Sequence, residues 1–214
     1  YGLNPDKIFV VPNGVDCSEY AVELTEEDEI RIREKYGLPK KYILYFGAVR
    51  KHKNLERLLK AYAMLPDRIR EEYKLVLTRK EIALERLAVE LKIRQDVVFT
   101  GFVDDADKAA LYKLAEVSIF VSLYEGFGIP IIEAQAAGTP VITSNISSMP
   151  EAAGKGAILV DPYSVEDIAC ELERVIENDT LREYLIEMGY ANARHFSWDA
   201  AANKMAEVVR RYRR

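Results

Sequence analysis

The sequence predicts one α/β domain built on a parallel sheet with helices on both faces, and three observations predict it. Apolar runs of strand length alternate with amphipathic helical periods along nearly the whole chain. The connections between them are short, with no internal repeat or low-complexity segment. A chain of 214 residues, 49% hydrophobic and 30% charged, is long enough to bury such a sheet. With right-handed crossovers the alternation closes into a doubly wound, Rossmann-like domain.

The elements follow in order. Ile8-Phe9-Val10-Val11 reads as a short strand stopped by the turn Pro12-Asn13-Gly14. Thr25 and Asp28 have the spacing of a capping box and open a polar helix running toward Lys35. Residues 42–49 read as a buried strand, and Leu55, Leu58, Leu59, Tyr62 and Ala63 form one face of the helix after it. Residues 74–78, 97–99, 117–121, 141–143 and 157–160 are further strands. Helices are expected over 80–91, 105–115 and 129–137, the last with Pro130 just inside its start and Gly138 just past its end. Three helices close the chain: one from Val165 to Ile176, one near 180–194 and one near 197–213.

The net charge of −5 argues against a nucleic-acid partner, which a basic face would attract. Arg210, Arg211, Arg213 and Arg214 read as cations at a helix C-terminus. Cys17 and Cys170 show no metal-ligand spacing, and no metal site is expected. No apolar run reaches the ~20 residues of a membrane span, and no signal peptide is visible. A cytoplasmic setting is the expectation, with peripheral membrane attachment of a longer parent left open. The start at Tyr1, without an initiator Met, suggests a trimmed piece of something longer.

Ligands of doubly wound sheets bind beyond the carboxyl ends of the strands, so the loops after strands carry the functional reading. The loop Gly47-Ala48-Val49-Arg50-Lys51-His52-Lys53-Asn54 gathers cations in an acidic chain, which suits an oligophosphate at a helix start. It has neither a GxxxxGK[ST] nor a GxGxxG pattern. The loop from Ser122 to Ala134 places Gly126 and Gly128 where backbone can approach a ligand. Glu125 and Glu133 bracket the start of the following helix, and their carboxylates suit sugar or ribose hydroxyls. A solvated basic loop and a dipole-stabilising acid are the bland alternatives.

The stretch from Glu125 to Glu133 resembles the E-x7-E signature of the family 4 retaining glycosyltransferases. Val11-Pro12-Asn13-Gly14-Val15-Asp16, the loop from Phe46-Gly47 to Lys53-Asn54, Phe99-Thr100-Gly101-Phe102-Val103, Gly138-Thr139-Pro140-Val141-Ile142 and Phe196-Ser197-Trp198 resemble further segments of that family, in the family's order. The resemblance implies the GT-B architecture, with residues 1–214 forming the C-terminal, sugar-nucleotide-binding domain. It implies a separate N-terminal acceptor domain that this chain lacks. The terminal helix, 195–214, would cross to that domain; in a fragment its uncovered apolar side could pair with another copy.

By the same resemblance, Glu125 and Lys53 sit at the reacting centre, Glu125 on donor-sugar hydroxyls and Lys53 on the diphosphate leaving group. Glu133 would take the ribose. The backbone of Gly126, Phe127 and Gly128 would meet the sugar or diphosphate, Gly47, Arg50 and Lys51 would serve the phosphates, and the loop ending at Val103 would border the base. The implied substrate is a nucleotide diphosphate sugar of the GDP-mannose or UDP-glucose type, without a cofactor, in polysaccharide biosynthesis. Sugar transfer would retain the anomeric configuration, and this chain alone would be inactive. Ala48 and His52 stand where many members carry Arg, and Thr78-Arg79-Lys80-Glu81 replaces a glycine-containing loop. The rival readings are a non-catalytic nucleotide-binding module or scaffold and a GT-B-like nucleotide-sugar epimerase.

Overall fold

A computed structural model describes residue 2 and residues 4–212. In chain order the elements are α1 (Cys17–Tyr20), α2 (Glu26–Tyr36), β1 (Lys41–Tyr45), α3 (Leu55–Met64), α4 (Asp67–Glu72), β2 (Tyr73–Leu77), α5 (Ile82–Glu90), β3 (Val97–Phe99), α6 (Asp105–Lys113), β4 (Val117–Phe120), α7 (Ile129–Ala136), β5 (Val141–Ser144), α8 (Met149–Ala153), β6 (Ala157–Val160), α9 (Val165–Glu177), α10 (Asp179–Ala193) and α11 (Trp198–Tyr212). The six strands form one sheet in the order β3-β2-β1-β4-β5-β6, and each neighbouring pair is parallel. The expected Rossmann-like, doubly wound sheet is therefore present. Its order reverses between β1 and β4, the topological switch point where such sheets leave a crevice.

Burial explains the strands. Tyr42, Ile43, Leu44 and Tyr45 of β1 and Val117, Ile119 and Phe120 of β4 are almost wholly enclosed. Helices cover both faces of a parallel sheet, so its central strands are continuous apolar runs rather than alternating ones. Helices α1, α2, α9 and α10 start where a side chain accepts from their free N–H groups. Thr25 and Asp28 form the full capping box of α2, and Ser164 caps α9 through the Asp167 N–H.

The structure corrects several boundaries. Ile8–Val11 is not a strand: no sheet neighbour pairs with it. Its Phe9 ring instead packs edge-on against Tyr212 of α11 at 5.8 Å, leaving Ile8 and Val10 exposed. β1 ends at Tyr45 rather than at residue 49, because Gly47 takes a φ of 154° and its N–H turns to Thr78 Oγ1. The short helices α1, α4 and α8 carry too few turns to show a period. The terminal helix is described from Trp198 to Tyr212; Arg213 and Arg214 lie outside the described residues.

Asp107 joins α2 to α6. Its carboxylate accepts hydrogen bonds from Tyr36 Oη at 2.7 Å, Lys35 Nζ at 2.5 Å and Arg31 Nη1 at 3.2 Å. Burial pushes its pKa upward, but these donors outweigh it and hold the carboxyl below its ordinary value of 3.8. The resulting stabilisation is present above that value and is lost as pH falls through the lowered folded value. Asp107→Asn is expected to cost about 1–2 kcal/mol at pH 7, with the gap to wild type narrowing toward pH 3. Urea midpoints at the two pH values check this.

Candidate functional site

The crevice lies between the loop after β1 and the loop after β4, and main-chain and side-chain bonds hold these loops together. The Leu123 N–H donates to His52 O at 2.7 Å. The Asn54 amide Nδ2 donates to Val121 O at 3.0 Å and to Pro162 O at 2.7 Å. Asn54 is buried in the left-handed region, at φ 62°, between the 3-10 turn Lys51–Lys53 and the start of α3. Asparagine tolerates this conformation better than most residues, and here its side chain also satisfies two buried carbonyls. The kink directs the preceding residue, Lys53, across the crevice.

Lys53 Nζ meets Glu125 Oε1 at 2.6 Å, with both side chains mostly buried, and lies 4.8 Å from the centre of the Phe120 ring. The main chain of Glu125 is fixed in turn. Ser147 Oγ and Ser148 Oγ each donate to its carbonyl at 2.9 Å, and its N–H donates to Ser147 Oγ at 3.3 Å. Beyond it, Gly128 (φ 109°) begins α7 with no side-chain cap and with Pro130 in the first turn. This φ suits glycine and leaves the helix start open to an anion. Gly126 is exposed, whereas the Phe127 ring turns away to pack edge-on against Phe196 at 5.6 Å.

Glu133 does not join that pair. Its carboxylate lies one turn into α7, 8% exposed, and accepts from Tyr20 Oη at 2.7 Å, Lys108 Nζ at 2.8 Å and Tyr112 Oη at 3.1 Å. Burial, together with the Glu133 charge, pushes both phenols well above their ordinary value, so they remain donors. The Tyr112 ring lies 5.4 Å from Phe46, which places this cluster beside the end of β1.

The remaining expected residues divide. Arg50 and Lys51 are exposed, form no ion pair among the described residues, and line a cavity of about 460 Å³ with Asn54, Arg57, Glu81 and Leu123. Gly47 lies at the end of β1, bonded to Thr78. The Val103 side chain is buried in the core, so only its backbone can border a ligand. In the loop that departs from the family pattern, the Arg79 guanidinium lies 5.1 Å from the exposed Phe102 ring. Sequence reasoning missed Tyr20, Lys108, Tyr112, Ser147 and Ser148. They come from three separate segments, α1, α6 and the loop before α8, and only the fold assembles them. The family-like segments also meet: Val15 N–H donates to Phe196 O at 2.6 Å, and a Cβ on Gly14 would lie 2.4 Å from Trp198 N, so only glycine fits there.

A doubly wound sheet with charged loops at its switch point defines a Rossmann-like ligand-binding domain. A family model described as "Glycosyl transferases group 1" matches residues 27–192, and the chain belongs to this glycosyltransferase family. O-antigen chain mannosyltransferase B of Escherichia coli is 34% identical over 196 residues, covering 89% of this chain and 51% of that protein. Anabaena Alr3699/HepE, solved in complex with UDP and glucose, matches with a TM-score of 0.84 at 21% identity, over 98% of this chain and 59% of that one. The C-terminal domain of the group 1 glycosyl transferase LpcC from Francisella tularensis matches with a TM-score of 0.72 at 24% identity, over 85% of this chain and 97% of that one. The chain spans between 25% and 54% of the length of the curated relatives compared.

The geometry at Asn54 yields an ordering. Asn54→Ala loses both carbonyl bonds and strains the backbone, whereas Asn54→Gly loses only the bonds. Equilibrium unfolding in urea is expected to rank wild type above Asn54→Gly, and Asn54→Gly above Asn54→Ala by about 1 kcal/mol.

Proposed function

We propose that this domain holds the nucleotide diphosphate sugar of a retaining hexosyltransferase, and that the Lys53–Glu125 pair is the centre of the donor site. The carrying observation is that pair, 2.6 Å apart at the switch point with both side chains mostly buried. In the structure the two groups neutralise each other. An arriving diphosphate competes for the Lys53 ammonium, and the released Glu125 carboxylate accepts hydrogen bonds from the sugar. Arg50 and Lys51, without acidic partners among the described residues, add positive charge on the same loop. Gly47 and the backbone of Gly126, Phe127 and Gly128 approach the phosphates and sugar, Glu133 takes the ribose, and the loop ending at Val103 borders the base.

In the reaction the anomeric carbon–oxygen bond breaks, and its electron pair leaves on the terminal phosphate oxygen. Lys53 stabilises that growing charge, an interaction worth most in the transition state. The acceptor hydroxyl oxygen forms the new bond on the face the phosphate leaves, and its proton passes to the departing phosphate oxygen. Glu125 and Glu133 do not act as a nucleophile and acid pair: Glu133 is held away from the Lys53–Glu125 pair by three donors, Tyr20, Lys108 and Tyr112. Mannose is the favoured sugar, supported by relatives named mannosyltransferases, with GDP-mannose as donor. A UDP-glucose type donor is the alternative, supported by the HepE complex.

The acceptor site lies in sequence beyond these 214 residues, a reading supported by the greater length of the relatives. The exposed Trp198, Met205, Val209 and Tyr212 on α11 suit a cover supplied by that part. Among the described residues no helix is long and apolar enough to cross a membrane.

Calorimetric titration with GDP, GDP-mannose, UDP and UDP-glucose tests the site. One nucleotide pair is expected to bind and to raise the melting temperature; absence of binding by all four at millimolar concentration contradicts the proposal. Lys53→Ala is expected to weaken the diphosphate by about tenfold or more. Glu125→Gln should weaken the sugar nucleotide while leaving the nucleoside diphosphate equal or tighter, since Lys53 no longer has to leave a partner. Incubated alone with donor and a panel of mannose-terminated acceptors, the 214-residue chain is expected to form no glycosidic product. Product above the background without protein would show that the second half is dispensable.

A further inference from the structure

The carboxylate of Glu133 is already crowded. Tyr20 and Lys108 both donate to Oε1, and Tyr112 donates to Oε2. An ionised carboxylate accepts about four hydrogen bonds over its two oxygens, and a vicinal diol brings two donors. Capture of the ribose by Glu133, the reading on which this inference rests, therefore requires one resident donor to yield.

The two phenols are fixed. Tyr112 is fully buried and Tyr20 nearly so, their rings lie 6.1 Å apart, and Phe46 packs on Tyr112. Withdrawing either would open the core. Lys108 differs in each respect. It stands on α6 with its side chain 23% exposed, on a flexible stem, and among the described residues Glu133 is its only ion-pair partner. Its ammonium lies 2.8 Å from Oε1 and 5.4 Å from the centre of the Tyr20 ring, at the more accessible side of the cluster.

We propose that Lys108 is a specificity-determining residue for the ribose: a hydroxyl of the diol inserts between Lys108 and Glu133, donating its proton to the carboxylate and accepting a hydrogen bond from the ammonium. Tyr20 and Tyr112 act as positioning residues that keep the carboxylate in place while the Lys108 contact opens. A nucleotide without the diol leaves the ion pair closed and gains nothing from it. The Lys108–Glu133 pair thus does for the ribose what the Lys53–Glu125 pair does for the diphosphate and sugar.

The test compares GDP with 2′,3′-dideoxy-GDP, and in parallel UDP with 2′,3′-dideoxy-UDP, by calorimetry on the wild-type chain, Lys108→Met and Lys108→Arg. Wild type is expected to prefer the ribonucleotide by about tenfold or more. In Lys108→Met that preference should fall at least about fivefold, while the dideoxy affinity changes less than about twofold. Lys108→Arg, which keeps the charge and a donor, should retain most of the preference. A preference unchanged in Lys108→Met overturns the inference, and so does an equal loss for both nucleotides, the mark of a merely structural role. If wild type binds both nucleotides equally well, the ribose role of Glu133 fails and this inference with it. If no nucleotide binds, the donor-site reading itself fails.

Discussion

The stitching of two loops across the switch point of the sheet is the constraint on which the site depends. β1 and β4 are neighbours, but the loops that leave them run in opposite directions along the sheet and would diverge unless tied. Leu123 N–H to His52 O and Asn54 Nδ2 to Val121 O close that gap. One bond joins main chain to main chain and the other ties the Asn54 side chain to the carbonyl just after β4, so together they set the position of Lys53 and Glu125 to within the freedom of their own side chains. The left-handed turn at Asn54 is the local cost of that placement, offset by the carbonyls its amide satisfies.

The site's charged groups do not wait unpaired. Lys53 and Glu125 neutralise each other, and Glu133 is held by Lys108 and two phenols. A mostly buried charge without a partner would be destabilising, and these pairs satisfy each such charge. On the proposed reading, binding is an exchange of partners rather than a filling of vacant donors. Its affinity is set by the difference between ligand contacts and the pairs they replace. This favours ligands able to break a pair by supplying both signs of interaction at once, as a diphosphate joined to a polyhydroxyl sugar does.

Much of the fold was legible in the sequence because buried parallel strands leave uninterrupted apolar runs. Residues 97–99 and 157–160 read as strands with the bounds they take in the structure. The errors have physical causes. Ile8–Val11 has the composition of a strand, but β3 and β6 are the sheet edges, and the segment lies against α11 instead. The run from Tyr42 continues apolar through Phe46 and Val49, yet the chain leaves the sheet at Gly47. At the site, the loops carrying Lys53 and Glu125 could be singled out by charge and glycine content. The donors around Glu133 could not: Lys108 reads as one charge on an amphipathic helix, and Tyr20 as an apolar residue near a turn. Their convergence is a property of the tertiary fold alone.

On binding, the donor is expected to replace Glu125 as the partner of Lys53. A crystal structure of the chain with GDP-mannose, or with UDP-glucose if that is the nucleotide sugar it binds, tests this most directly. Lys53 Nζ is expected within hydrogen-bonding distance of a diphosphate oxygen, with the Glu125 carboxylate turned from the lysine to the hydroxyls of the sugar. A bound donor beside a Lys53–Glu125 pair still closed at its present 2.6 Å would contradict it.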